Sequence, residues 1–207
     1  MDLSLVVAVH LIVAKTKDKS DHWTMGQAVK IVQEASRRYE EEAGVKLVIK
    51  KKTYLGRDVT RRWRDGVDTK ALYARYFKAL VWAYNRGYEG NEKVRLYIGP
   101  AQHNGGFTFT YGSAAPCSYR VPGETPMAFI AASPKNAQGH DRYEHTISAV
   151  QHEVGHNLCI KHDPSEKPAQ VMHPNALGFV TALLPEHLRF SLISLGQLGE
   201  FIKKLKG

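Results

Sequence analysis

The feature that leaves this chain the fewest folds is the stretch Gln151 to Asp163, Q-H-E-V-G-H-N-L-C-I-K-H-D. Residues four apart lie one turn along the same face of a helix, so His152 and His156 can aim two imidazoles at one point. Glu153 lies beside them. His162 follows His156 by six residues, a separation that an uninterrupted helix would place on the wrong side. For the third imidazole to join the other two, the helix must stop and the chain must turn back within this one stretch.

Three neutral imidazoles around one point are a ligand set for zinc that leaves one position for water. Zinc with three protein ligands lowers the pKa of a coordinated water to about 7 and polarises a carbonyl. The expected ligands of one catalytic Zn2+ are therefore His152, His156 and His162. Glu153 is too close in sequence to His152 to join it as a ligand. It is well placed to take the water's proton and pass it to a leaving amine. Peptide-bond hydrolysis is the reaction that uses all of these parts together.

The stretch resembles the signature of the metzincin zinc endopeptidases, H-E-x-x-H-x-x-G-x-x-H followed by a turn containing methionine. Every position matches except one, where Cys159 stands in place of the family's glycine. Asp163 and the wording H-E-V-G-H-N-L are similar to the adamalysin (reprolysin) branch, whereas Pro168 to Pro174, with Met172, is similar to the matrixin turn. The resemblance implies an α/β zincin fold: a twisted, mostly parallel five-stranded sheet with an antiparallel edge strand, two backing helices, an active-site helix and a small irregular C-terminal lobe with a closing helix. Residues 1–207 would form one catalytic domain, with an upper lobe to about residue 158 and a lower lobe from about 159.

The same resemblance implies that Met172 supports the zinc histidines from beneath and that Asp163 ties the third-ligand loop to the lower lobe. A protein or peptide substrate is expected extended along the edge strand, at Thr108, Phe109 and Thr110, since an edge grips any peptide through its backbone. Pro174, Asn175 and Ala176 would line an apolar pocket for the side chain after the cut. The resemblance favours a secreted or extracellular setting, although the chain shows no signal peptide; the oligomeric state is open, with a monomer favoured. The alternative is a catalytically inactive metzincin-fold binding module that keeps structural zinc. Its only sequence support is Cys159, and the retained Glu153 argues against it.

A glycine suits the place of Cys159 because the turn that ends the helix calls for positive φ. A side chain there costs roughly 1 to 2 kcal/mol, which a domain of this size bears, so the turn is expected to survive with the thiol off the metal. The other cysteine is Cys117. Two cysteines are too few for a disulfide scaffold and have no zinc-knuckle spacing. The Cys159 thiol could pair with Cys117 on another element, but sequence alone does not show their separation, and two free thiols are the favoured expectation.

The 207 residues, 43% of them hydrophobic, suffice for one core. The net charge of +9 is concentrated between Lys46 and Arg64, in Lys50, Lys51, Lys52, Arg57, Arg61, Arg62 and Arg64. No nucleic-acid motif accompanies that cluster, so it reads as a solvated strand end and loop. Leu3 to Ala14 lacks a basic leader and a small-residue cleavage site, which favours a buried strand at the start of the chain over a targeting segment. No run approaches the roughly 18 apolar residues of a membrane span.

In chain order, Leu3 to Ala14 is predicted to be a central strand. Thr24 and Gln27 form a capping box for a helix that runs to Gly44. Val45 to Tyr54 and Val94 to Ile98 are further strands, separated by a helix from Thr69 to about Arg86 with Asp68 as its cap. This alternation predicts a mostly parallel sheet. Phe107 to Tyr111 is predicted as an edge strand and Met127 to Ala131 as a last short one. The zinc helix should bury Ile147, Val150, Val154 and Leu158 and turn His145, Ala149, His152 and His156 to a cleft. Leu192 to Leu205 closes the chain as a helix. His103, His140, His145, His173 and His187 share no ligand spacing and read as surface or structural residues.

Overall fold

The structure, a computed structural model, describes residues 4–14, 22–55, 94–99, 109–112, 127–132, 134–135, 139, 141–162, 170–172 and 189–206. Strand β1 (Leu5–Ala14) leads into helix α1 (Met25–Ala43) and strand β2 (Val45–Leu55). Strands β3 (Val94–Gly99), β4 (Phe109–Gly112) and β5 (Met127–Ala131) follow, then helices α2 (Tyr143–Asn157) and α3 (Leu192–Lys206). The α/β class is as expected. The predicted helix from Thr69 to about Arg86 lies outside the described residues. Among them, no helix is long and apolar enough to cross a membrane.

The strands form one sheet in the order β2-β1-β3-β5-β4. β1 runs parallel to β2 and β3, β3 runs parallel to β5, and β4 is antiparallel to β5 at the outer edge. The inner position of β1 follows from its composition. Val7, Val9, Leu11 and Val13 are fully buried on one face, in the same cluster as Ala28, Ile31, Val32 and Ala35 of α1. Every residue of β3 is buried, as expected of a strand covered on both faces. That burial includes Arg95, which periodicity alone does not place in a core.

Helix α1 begins and ends where local chemistry says it should. The Gln27 N–H donates to Thr24 Oγ1 at 3.2 Å and the Thr24 N–H donates to Gln27 Oε1 at 2.9 Å, which satisfies two end groups at once. At the other end Gly44 takes φ 66, a left-handed value open to glycine at little cost, and its N–H bonds Glu40 O at 3.1 Å. In β2 the register slips by one residue, from Val9 opposite Ile49 to His10 opposite Lys51. The extra residue is Lys50. A bulge of this kind breaks the alternation of faces, and Lys50, Lys51 and Lys52 are all exposed in succession. These three lysines are solvated, as the reading of the cluster requires; Arg57, Arg61, Arg62 and Arg64 lie outside the described residues.

Two side chains, Trp23 and Arg38, seat the start of α2 on this frame. Trp23 donates its indole N–H to Ala132 O at 2.7 Å and meets the Tyr143 ring edge-on. The buried Arg38 of α1 pairs with Glu144 in the first turn of α2 at 2.6 Å, with Glu34 as its second partner.

Candidate metal centre

Every residue of helix α2 from His145 to Asn157 is buried, on the face expected to meet the core and on the face expected to meet a cleft. The helix is enclosed because it packs against α1 on one side and against β4 and β5 on another. Of the three histidines expected to meet at one point, His152 and His156 are buried and His162 is exposed.

The helix ends as the ligand spacing requires. The Ile160 N–H bonds Gly155 O at 3.0 Å and the Cys159 N–H bonds His156 O at 3.1 Å, the paired closures of a Schellman turn. Cys159 occupies the left-handed position with φ 71, the only positive φ of a non-glycine among the described residues. The turn therefore survives the replacement of glycine. The expectation of free thiols does not: Cys159 is disulfide-bonded. The chain's one other cysteine is Cys117, which lies outside the described residues. Pairing across so long a separation depends on how the chain folds back, and no local pattern reports it.

The turn brings His162 to the other two imidazoles. The Nε2 atoms of His152 and His162 are 2.9 Å apart, those of His156 and His162 3.0 Å, and those of His152 and His156 3.2 Å. Each helix imidazole is oriented from behind. His152 donates its Nδ1–H to Val171 O at 2.5 Å, and His156 donates its Nδ1–H to Ile160 O at 2.9 Å. A carbonyl only accepts, so both rings carry hydrogen on Nδ1 and an open lone pair on Nε2.

This donor set fits a cation. Two Nε2 lone pairs that face each other have no hydrogen to share between them. Tetrahedral zinc with bonds of about 2.0 to 2.1 Å spaces its nitrogens roughly 3.3 Å apart, slightly wider than the triangle here. His152, His156 and His162 are the group among the described residues able to hold a metal ion.

Burial and the neighbouring imidazoles also hold both helix histidines neutral. Desolvation first, then the His156 and His162 rings, lower His152 from 6.5 to about 3; desolvation, with His162, lowers His156 to about 4. A histidine whose folded pKa is lowered is protonated first in the unfolded chain. Its contribution is thus whole above about pH 6.5 and is lost as pH falls towards the folded values. Chelator-treated protein should accordingly show a lower urea midpoint at pH 5 than at pH 7. Equal midpoints would mean that these rings are not buried in neutral form.

The supports come from distant segments. The Val171 N–H bonds Arg189 O at 3.0 Å, and the Lys161 N–H bonds Gln197 Oε1 of α3 at 2.9 Å. Met172 is fully buried. A Cβ built on Gly155 would lie 2.7 Å from its sulfur, so the glycine inside H-E-V-G-H makes room for the methionine. Glu153, 2% exposed, follows His152 directly in the helix. Sequence reasoning did not find Val171, Ile160, Gln197 or Tyr39, whose hydroxyl donates to Gln151 O at 2.5 Å. Their only signal is three-dimensional.

Of the other expected site residues, Phe109 and Thr110 lie on β4, at the sheet edge next to β5. Thr108, Asp163, Pro174, Asn175 and Ala176 lie outside the described residues, as do His103, His140, His173 and His187. His145 is buried on α2, a structural position.

No known family pattern matches this chain, and no curated protein matches it in sequence. Its backbone is similar to part of a chain in a solved structure described as "Structure of a chaperone-substrate complex", with a TM-score of 0.51 and 11% identity. The match covers 98% of this chain and 34% of that one, so this protein spans about a third of its neighbour's length. At that identity the likeness concerns the fold alone.

Proposed function

We propose that this protein is a zinc-dependent endopeptidase with a metzincin-type zincin fold, in which His152, His156 and His162 hold one zinc ion and Glu153 is the general base. The reading rests above all on the three Nε2 atoms within 3.2 Å of one another, two of them with their Nδ1–H committed to carbonyls. Bound there, zinc supplies Lewis acidity that activates a water and polarises a peptide carbonyl.

The chain's own residues do the rest. Val171 O and Ile160 O hold the two helix imidazoles in the one tautomer that leaves Nε2 free, so no rearrangement is needed to present the ligands. The Glu153 carboxylate accepts the proton of the attacking water and delivers it to the departing amine nitrogen. In this reading the five-stranded sheet of the upper lobe offers β4 as the edge along which the peptide lies, its backbone pairing with the side of β4 turned away from β5. Met172, packed in the notch at Gly155, supports the helix turn between the two histidines.

Metal analysis and casein hydrolysis test the reading together. One zinc per chain is expected, with hydrolysis abolished by a chelator and restored by added zinc. Stoichiometric zinc without hydrolysis would favour an inactive binding module, and the absence of bound zinc would overturn both.

A further inference from the structure

We infer that Tyr39 is a positioning residue for the metal centre: its hydroxyl, donated to the Gln151 carbonyl, sets where His152 sits along α2. The inference rests on the zinc reading above. Tyr39 reads in the sequence only as one more residue on the buried face of α1, where volume alone would explain it. The structure shows a more specific arrangement. The side chain is fully buried, and its hydroxyl lies 2.5 Å from the carbonyl oxygen of the residue immediately before His152.

Three things make that bond a constraint on the helix itself. The acceptor is backbone, so the bond locates α2 along its axis, which a bond to a movable side chain would not do. The hydroxyl also enters beside Gly155, one turn on, where a Cβ would stand 3.4 Å from Tyr39 Oη and 2.7 Å from Met172 Sδ. Hydroxyl and sulfur thus share the notch between the two helix ligands. Finally, the ring is held from behind, 5.0 Å from Phe190, whose N–H bonds Glu42 Oε2 of α1 at 2.9 Å. Burial, with the charges of Glu42 and Glu153, pushes the hydroxyl's pKa well up, so it remains a donor wherever the protein is folded. Phenylalanine would supply the same volume, and the hydroxyl is accounted for by the bond it makes.

Tyr39→Phe keeps the ring and removes only that bond. Ser36→Ala is the matched control. It removes from the same helix a buried hydroxyl that bonds Leu47 O at 3.2 Å and Leu47 N at 2.9 Å in β2, away from α2. Zinc affinity, read by competition with a chromophoric chelator, should fall about tenfold in Tyr39→Phe, the scale seen when groups that orient metal ligands are lost. The visible spectrum of the cobalt-substituted protein should shift as well. Ser36→Ala should lower the unfolding temperature while leaving affinity and spectrum at wild-type values. A zinc-binding wild type matched by Tyr39→Phe in both readouts overturns this inference alone, as does a Ser36→Ala variant that moves them equally. A wild-type protein that binds no zinc overturns the zinc reading and this inference with it.

Discussion

Glu153→Ala is expected to bind zinc as the wild type does and to lose hydrolysis by about 100- to 10,000-fold, the usual weight of a general base. The two halves of that expectation have separate causes. In the proposed reading zinc would be held by imidazoles oriented by the Val171 and Ile160 carbonyls and by the Schellman turn, and none of these bonds involves the glutamate side chain. Hydrolysis needs a group that takes a proton at the moment of attack, and removing the carboxylate leaves only solvent for that task. Because Glu153 is 2% exposed, Glu153→Gln is the cleaner companion, since it keeps the volume and leaves no cavity. Metal content and casein hydrolysis of both variants decide the matter. Near wild-type activity in either would remove Glu153 from the mechanism.

The second large effect concerns Cys159, which is both a strained residue and a cross-link. Its disulfide constrains the unfolded chain, by about 2 to 4 kcal/mol for a typical cross-link. Against that stands the cost of a side chain at φ 71, roughly 1 to 2 kcal/mol. Cys159→Ser loses the cross-link and keeps the strain, whereas Cys159→Gly loses the cross-link and relieves the strain. Under non-reducing conditions the order of stability should be wild type, then glycine, then serine. A reducing agent should lower the wild type towards the serine variant and leave both variants unchanged. Zinc content should persist in all three, because the turn that returns His162 is closed by backbone bonds. A glycine variant as stable as the oxidised wild type would show that the cross-link contributes nothing.

The sequence by itself determined whatever depends on near neighbours along the chain. Thr24 and Gln27 bound each other's backbone and Gly44 ended α1, because a helix end is satisfied by residues three or four positions away. The same holds for the stop after His156. Whichever residue stood at position 159 had to adopt left-handed geometry for His162 to return, and Cys159 does so. Met127 to Ala131 formed a strand at its expected bounds. The tertiary structure alone decided what holds this local frame in place. Val171 O reaches His152 across 19 positions, Gln197 reaches the Lys161 N–H across 36, and Tyr39 reaches Gln151 across 112. The disulfide of Cys159, the burial of α2 from His145 to Asn157 and the bulge at Lys50 belong with them. Periodicity and capping report which face a residue presents and where an element ends. They are silent on which remote segment meets that face, since this depends on how all the elements pack at once.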